Sequence, residues 1–109
     1  AMDQYVENMA ERRVLMTKVV NIYKEPYDVY IGRAGKGKDG YFGNPFPMFH
    51  ENGRNIVILK YENWFKERIK SDPEFKAKVL ALKGKTLGCF CKPKACHGDV
   101  IAKWVDEQP

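Results

Sequence analysis

The chain has 109 residues and carries 19 lysines and arginines against 14 acidic residues, a formal net charge of +5 with neutral histidines. With 44% hydrophobic and 13% aromatic residues, its composition is that of one small globular domain and excludes extensive intrinsic disorder. Apolar runs such as residues 56–59 are far shorter than the roughly 20 residues of a membrane-spanning helix. The N-terminus lacks the basic and apolar regions of a secretory signal, so we expect a cytoplasmic protein. The excess of positive charge favours anionic partners.

The first part of the chain predicts an extension followed by two strands. Residues 1–16 are polar and are interpreted as an N-terminal extension, which leaves residues 17–109 as a single domain. β-branched and aromatic residues predict strands over 18–23 and 27–33. The region that follows, residues 34–55, is rich in glycine and proline and has no helical or strand period. Because compact domains seldom carry so long an irregular loop without a use, we expect this loop to contribute to a site.

The second part of the chain predicts three helices and a strand. Apolar residues at three- and four-residue spacing predict a helix over 54–70, and the sequence Ser71-Asp72-Pro73-Glu74 predicts the start of a second helix. A third strand is expected over 86–91 and a closing helix from about His97. The order β-β-α-α-β-α indicates an α/β fold, a small Rossmann-like sandwich in which helices cover a short sheet.

A glycine-rich segment, Gly35–Gly40, matches the pattern G-x-G-x-x-G after a predicted strand. The dinucleotide-binding fingerprint needs a helix immediately after these glycines, and none is predicted here. The segment is therefore interpreted as a flexible turn.

The densest chemistry of the sequence is the stretch Cys89-Phe90-Cys91-Lys92-Pro93-Lys94-Ala95-Cys96-His97-Gly98-Asp99. All three cysteines of the chain lie here, and their odd number and short separation argue against a disulfide framework. The stretch runs from a strand end to a helix N-terminus, where free N–H groups and nearby lysines favour negative charge. We therefore predict that at least one of these cysteines has a lowered thiol pKa.

Four interpretations of the stretch stay open. Cys89, Cys91, Cys96 and His97 supply a Cys₃His zinc set, although their spacing is tighter than usual. Alternatively, Cys91 or Cys96 is a catalytic thiol with His97 as its base, which would make the protein an enzyme. A third interpretation is an anion pocket formed by His97, the helix N-terminus and nearby arginines. In the fourth, buried cysteines only fill the junction between strand and helix.

Three further polar residues are candidate ligand contacts. Arg33 leaves a strand beside a glycine and has the geometry to hold a phosphate or carboxylate with two hydrogen bonds. Asn44, followed by a proline, offers a donor and an acceptor to a base or sugar. Arg54 begins a helix, where a cation opposes the helix dipole unless an anion lies nearby. The alternative for all three residues is an ordinary turn or surface position.

Tyrosines with lysines between them indicate a further possible function, the binding of single-stranded nucleic acid. Tyr23, Tyr27, Tyr30 and Tyr41 are typical of a surface on which single-stranded bases stack, although no recognised nucleic-acid-binding signature accompanies them.

Four segments together resemble an uncharacterised family of bacterial and phage proteins, domain of unknown function 4326. They are Val19-Val20-Asn21, residues 27–33, Gly43-Asn44-Pro45-Phe46 and residues 87–99, with the spacing Cys-x-Cys-x₄-Cys-His-Gly-Asp as the most specific part. The resemblance implies no particular activity. It implies that a shared set of residues forms a site: Arg33, Asn44, Arg54, Cys89, Cys91, Cys96, His97 and Asp99.

The sequence thus favours a pocket between the last strand and the last helix that binds, or also processes, a phosphorylated ligand of the nucleotide class. Arg33, Arg54 and the helix N-terminus would hold the phosphate, with Asn44 and Asp99 as further ligand contacts. Cys91, Cys96 and His97 would line the pocket or perform chemistry. The alternative is a zinc-stabilised Cys₃His module that binds nucleic acid or protein.

Overall fold

The computed structural model describes residues 16–35 and 37–109 as a three-stranded parallel sheet with three helices. The strands are β1 (Lys18–Asn21), β2 (Val29–Tyr30) and β3 (Thr86–Cys89), and the helices are α1 (Arg54–Ser71), α2 (Pro73–Leu80) and α3 (His97–Asp106). A short 3₁₀ turn, Glu51–Gly53, leads into α1. The predicted α/β class and element order are confirmed. The predicted extension over residues 1–16 lies outside the described residues except for Met16.

The sheet has β3 at its centre, with β1 and β2 on either side. Val19 of β1 and Val29 of β2 are both in register with Leu87. Because β1 and β2 run in the same direction on opposite sides of β3, the connection over residues 22–28 must cross the central strand.

All three strands are shorter than predicted. β1 ends at Asn21, whose side chain turns the chain by accepting a hydrogen bond from the Tyr23 N–H (2.9 Å).

This crossing depends on the absence of a side chain at Gly88. A Cβ atom at this position would lie 2.7 Å from both Ile22 Cγ2 and Tyr27 Cγ. Side chains alternate along a strand, so Leu87 and Cys89 point to the opposite face, where they join the core formed with the helices. Gly88 therefore leaves room for the connection to pack directly on the sheet.

Replacing Gly88 by alanine should lower the free energy of unfolding by about 1–3 kcal/mol, the usual effect of overpacking a filled site. Chemical denaturation of the wild type and of Gly88→Ala measures the change. Gly53→Ala is the control, because a Cβ there meets no atom within 4 Å. Equal stability of the two variants would contradict the packing described here.

The helices bury their apolar faces against one side of the sheet. Tyr61 and Phe65 of α1 and Phe75 of α2 are fully buried, as is Ile101 of α3. The predicted start of α2 is confirmed: Asp72 is the N-cap and accepts a hydrogen bond from the Phe75 N–H (3.1 Å), and a proline follows in the first turn. This packing sets the start of α3 beside the carboxyl end of β3.

A Rossmann-like arrangement is not confirmed. That architecture has helices on both faces of its sheet, whereas at Gly88 the face opposite the helices is covered by Ile22 and Tyr27.

The segment with the G-x-G-x-x-G pattern forms a turn in which Gly35 and Lys38 exchange backbone hydrogen bonds. Within the described residues, no helix combines the length and apolar character that a bilayer crossing would require.

Candidate functional site

A cavity of about 220 Å³ lies between the carboxyl end of β3, the start of α3 and the first turns of α1. Residues from four separate parts of the chain line it: Gly32, Arg33, Asn44, Met48, Arg54, Val57, Ile58, Cys89, Phe90, Cys91, Ala95, Cys96 and His97. The structure thus brings together seven of the eight predicted site residues. In α/β proteins, ligands commonly bind at this end of a parallel strand.

Asn44 fixes the long loop to the first helix. Its side chain is buried, donates to the Val57 carbonyl (3.1 Å) and accepts from the Phe46 N–H (2.9 Å). Both ends of the amide are therefore occupied by backbone. These bonds hold Asn44 in the wall of the cavity.

Arg33 also contacts the loop backbone. Its guanidinium donates to the carbonyl oxygens of Asn44 and Phe46. These two bonds leave further N–H groups of the guanidinium, which has five donors. Arg33 therefore brings a positive charge to the cavity and also holds the loop that surrounds it.

Arg54 has an acidic partner within the protein itself. Its Nε and Nη2 donate to the two carboxylate oxygens of Glu51 (2.8 and 2.9 Å), and its Nη1 donates to the Ala95 carbonyl (2.9 Å). The hydrogen bonds from Arg54 lower the pKa of Glu51 to about 2. The anion that the sequence suggested near Arg54 is thus Glu51, which lies three residues earlier and was missed.

The three cysteine sulfurs form a compact cluster. All three Sγ atoms lie within 4.8 Å of one another, and those of Cys89 and Cys96 are 3.0 Å apart. Cys89 and Cys96 are buried, and Cys91 is half-buried. Hydrogen bonds from the thiols of Cys89 and Cys96 and from Arg54 lower the pKa of Cys91. Hydrogen bonds with the other two sulfurs, together with burial, raise the pKa of Cys96.

His97 is buried beside the cluster. Its Nε2 lies 2.6 Å from the Ile31 carbonyl oxygen, and its Nδ1 lies 3.7 Å from Cys96 Sγ. Because a carbonyl oxygen only accepts, Nε2 carries the proton and Nδ1 keeps its lone pair. Burial lowers the pKa of His97, which favours the neutral ring. As a base, His97 is therefore closest to Cys96, whereas the thiol with the lowered pKa is Cys91, next to Arg54.

Asp99 is the predicted site residue that the structure does not bring to the cavity. Its carboxylate accepts from the Cys96 N–H (3.2 Å) and from Lys92 Nζ (2.6 Å), so it caps α3. Cys96 completes this capping box, because its Sγ accepts from the Gly98 N–H (3.3 Å). The helix N-terminus that was predicted to hold a phosphate is thus partly satisfied by its own residues.

An exposed aromatic patch adjoins the cavity. Phe90, a lining residue, packs against Tyr23 and Tyr30 with ring centroids 5.6 and 5.8 Å apart. Lys38 Nζ lies 5.1 Å from the centroid of the Tyr30 ring. Tyr41, which the sequence grouped with these residues, packs instead against Phe42 and Phe75. Phe90 was not among the predicted site residues, because its place between two cysteines indicated only a position on a strand.

These features define a small α/β protein with a cysteine-bordered cavity at the carboxyl end of its central strand. The chain belongs to the family described as Domain of unknown function (DUF4326), whose sequence profile matches residues 3–107. It is similar to the "Uncharacterized 12.4 kDa protein in nrdA-td intergenic region" of Enterobacteria phage T4, with 40% identity over 91 residues, 84% of this chain and 79% of the phage protein. No solved structure matches the chain. The predicted resemblance to an uncharacterised phage and bacterial family is confirmed.

Proposed function

We propose that the cavity binds a small phosphorylated ligand, a nucleotide or a nucleotide-derived metabolite. The observation that carries the proposal is the charge of the lining. Among the described residues, the lining contains Arg33 and Arg54 and no carboxylate side chain. Guanidinium groups attract an anionic group, and their geometry matches that of phosphate oxygens.

The rest of the cavity lining is suited to bind the ring of a ligand. Met48, Val57, Ile58 and Phe90 supply apolar surface to the lining. The volume of about 220 Å³ is below the range of about 300–1,000 Å³ typical of sites for drug-sized ligands. A whole nucleotide would therefore extend beyond the cavity. The patch of Tyr23, Tyr30 and Phe90 at its edge offers aromatic surface for the extending part.

A ligand can recruit the guanidinium of Arg54 by displacing a side chain, which leaves the backbone contacts of the loop intact. Its partner Glu51 has a side chain that is 55% exposed and also pairs with Lys94 (3.4 Å). A phosphate can replace Glu51 on the guanidinium while the carboxylate keeps Lys94. The cavity also lies at the carboxyl end of a parallel strand, where open α/β sheets commonly bind ligands, which supports the same proposal.

Thermal denaturation with a panel of nucleoside mono-, di- and triphosphates at millimolar concentration tests this function. Binding to the folded state should raise the melting temperature by roughly 4–8 °C for each kcal/mol that the bound ligand adds to the free energy of unfolding. In Arg54→Gln, the loss of a charge-assisted contact worth about 1.5–3 kcal/mol should weaken binding by roughly 10- to 100-fold.

The matched control is Lys76→Gln, which removes one positive charge from an exposed position on α2. This variant should respond to the panel like the wild type. If no phosphate-bearing compound raises the melting temperature, or if both variants lose the response equally, the proposed function is wrong.

A further inference from the structure

We propose that the sulfurs of Cys89, Cys91 and Cys96 bind a soft divalent cation, Zn²⁺, and that its fourth coordination position opens to the cavity. The three Sγ atoms lie within 4.8 Å of one another, and all three residues line the cavity. Thiolates are the ligands that zinc prefers among the side chains present. This inference stands on the sulfur geometry and does not require the phosphorylated ligand.

The distances between the sulfurs fit a tetrahedral ion. A Zn–S bond of about 2.3 Å gives sulfur–sulfur separations of about 3.8 Å in a tetrahedral site. The cluster brackets this value, because Cys89 and Cys96 are separated by 3.0 Å and no pair exceeds 4.8 Å. Shifts of less than about 1 Å in each separation therefore suffice to seat the ion.

The charge of such a site is compensated by its surroundings. Each thiol that coordinates releases its proton to solvent, so three thiolates and Zn²⁺ leave one net negative charge. The Gly98 N–H donates to Cys96 Sγ at the positive end of α3. The guanidinium of Arg54 lines the same cavity as Cys91 and brings a positive charge to it. Hydrogen bonds of this kind orient ligands and tune a bound metal.

The loop that carries the cysteines is fixed by contacts outside the cluster. The Asn21 amide donates to the carbonyls of Phe90 (3.2 Å) and Lys92 (2.8 Å), and Arg54 donates to the carbonyl of Ala95. The sulfurs are thus positioned by the fold itself. We therefore expect the metal-free protein to remain folded, unlike a module whose folding requires zinc.

The fourth ligand of the predicted Cys₃His set is not part of the cluster. Within the described part of the chain, the metal-compatible group contains only the three cysteines. His97 Nε2 hydrogen-bonds to the Ile31 carbonyl, and its Nδ1 lies 3.7 Å from Cys96 Sγ. Three protein ligands and one open position are typical of zinc sites that bind an exchangeable water or ligand. The structure favours this kind of site over a closed structural one.

Titration of the reduced, metal-free full-length protein with Co²⁺ tests the inference. We expect one equivalent to bind, with the visible bands of tetrahedral cobalt and a near-ultraviolet thiolate charge-transfer band, and one equivalent of Zn²⁺ to displace it. In Cys91→Ser, affinity should fall by more than about 100-fold, because even changes around the ligands cost 10- to 100-fold. Cys91 is chosen because it is half-buried, whereas Cys96 also caps α3.

His50→Gln is the matched control, because His50 is an exposed histidine outside the cluster and a common type of adventitious metal ligand. This variant should bind cobalt like the wild type. The absence of a charge-transfer band in the wild type would overturn the inference, as would a band that Cys91→Ser leaves unchanged. Repeating the nucleotide panel on the zinc-loaded protein separates the two proposals, because cobalt binding without any nucleotide response supports the metal site and rejects only the ligand.

Discussion

Replacing Asn44 by aspartate is expected to lower the free energy of unfolding by about 3 kcal/mol at neutral pH. The substitution keeps the shape of the side chain but replaces the donor Nδ2 by an oxygen that faces the Val57 carbonyl at 3.1 Å. Two acceptors then oppose each other in a buried position, and a charge is left without a cationic partner on that side. Unpaired buried polar groups cost about 1–3 kcal/mol and charged groups cost more.

Asn55→Asp is the control for this prediction. Asn55 is exposed in the first turn of α1, where a negative charge is favoured by the helix dipole by about 0.3–1 kcal/mol. Urea denaturation of both variants gives the comparison. If Asn44→Asp is as stable as Asn55→Asp, Asn44 does not hold the loop to α1, and the cavity wall described here is wrong.

Tyr61→Ala is expected to cost about 3–5 kcal/mol, as is typical for the truncation of a buried aromatic ring. Tyr61 is fully buried, donates to the Phe42 carbonyl (2.9 Å), and packs edge-on against His97 with centroids 4.9 Å apart. The ring therefore joins the core to the site. Tyr61→Phe removes only the hydroxyl and should cost about 1 kcal/mol.

Phe49→Ala is the matched control for the aromatic truncation, because the Phe49 side chain is 84% exposed. Its stability in thermal and urea denaturation should be close to that of the wild type. A similar loss of stability in Phe49→Ala and Tyr61→Ala would mean that the described core does not carry the fold.

The helices were predictable because local signals determine where they begin. The apolar stripe of α1 and the Asp72-Pro73 start of α2 depend on residues close in sequence. The parallel sheet was not predictable in the same way. Its order depends on the connection over residues 22–28 packing on Gly88, a contact between distant segments that no local pattern specifies.

Most residues of the cavity lining could be predicted from the sequence, but their contacts could not. The glycine- and proline-rich loop over residues 34–55 was expected to contribute to a site, and the structure brings this loop to the cysteines. The hydrogen-bond partners of both side chains are backbone groups, which a sequence cannot single out. Glu51 was within reach of sequence reasoning, because acidic and basic residues three apart commonly pair at the start of a helix.

Amide chemical-shift mapping tests the central claim most directly, namely that the loop and the cysteine stretch share one anion-binding cavity. The reduced ¹⁵N-labelled protein is titrated with the phosphate-bearing compound that gives the largest thermal shift. We predict that the largest saturable changes occur at the amides of Arg33, Asn44, Ala95 and His97, while that of Lys76 stays unchanged. Changes that are largest on α2, or that involve only one of the two segments, would contradict the claim.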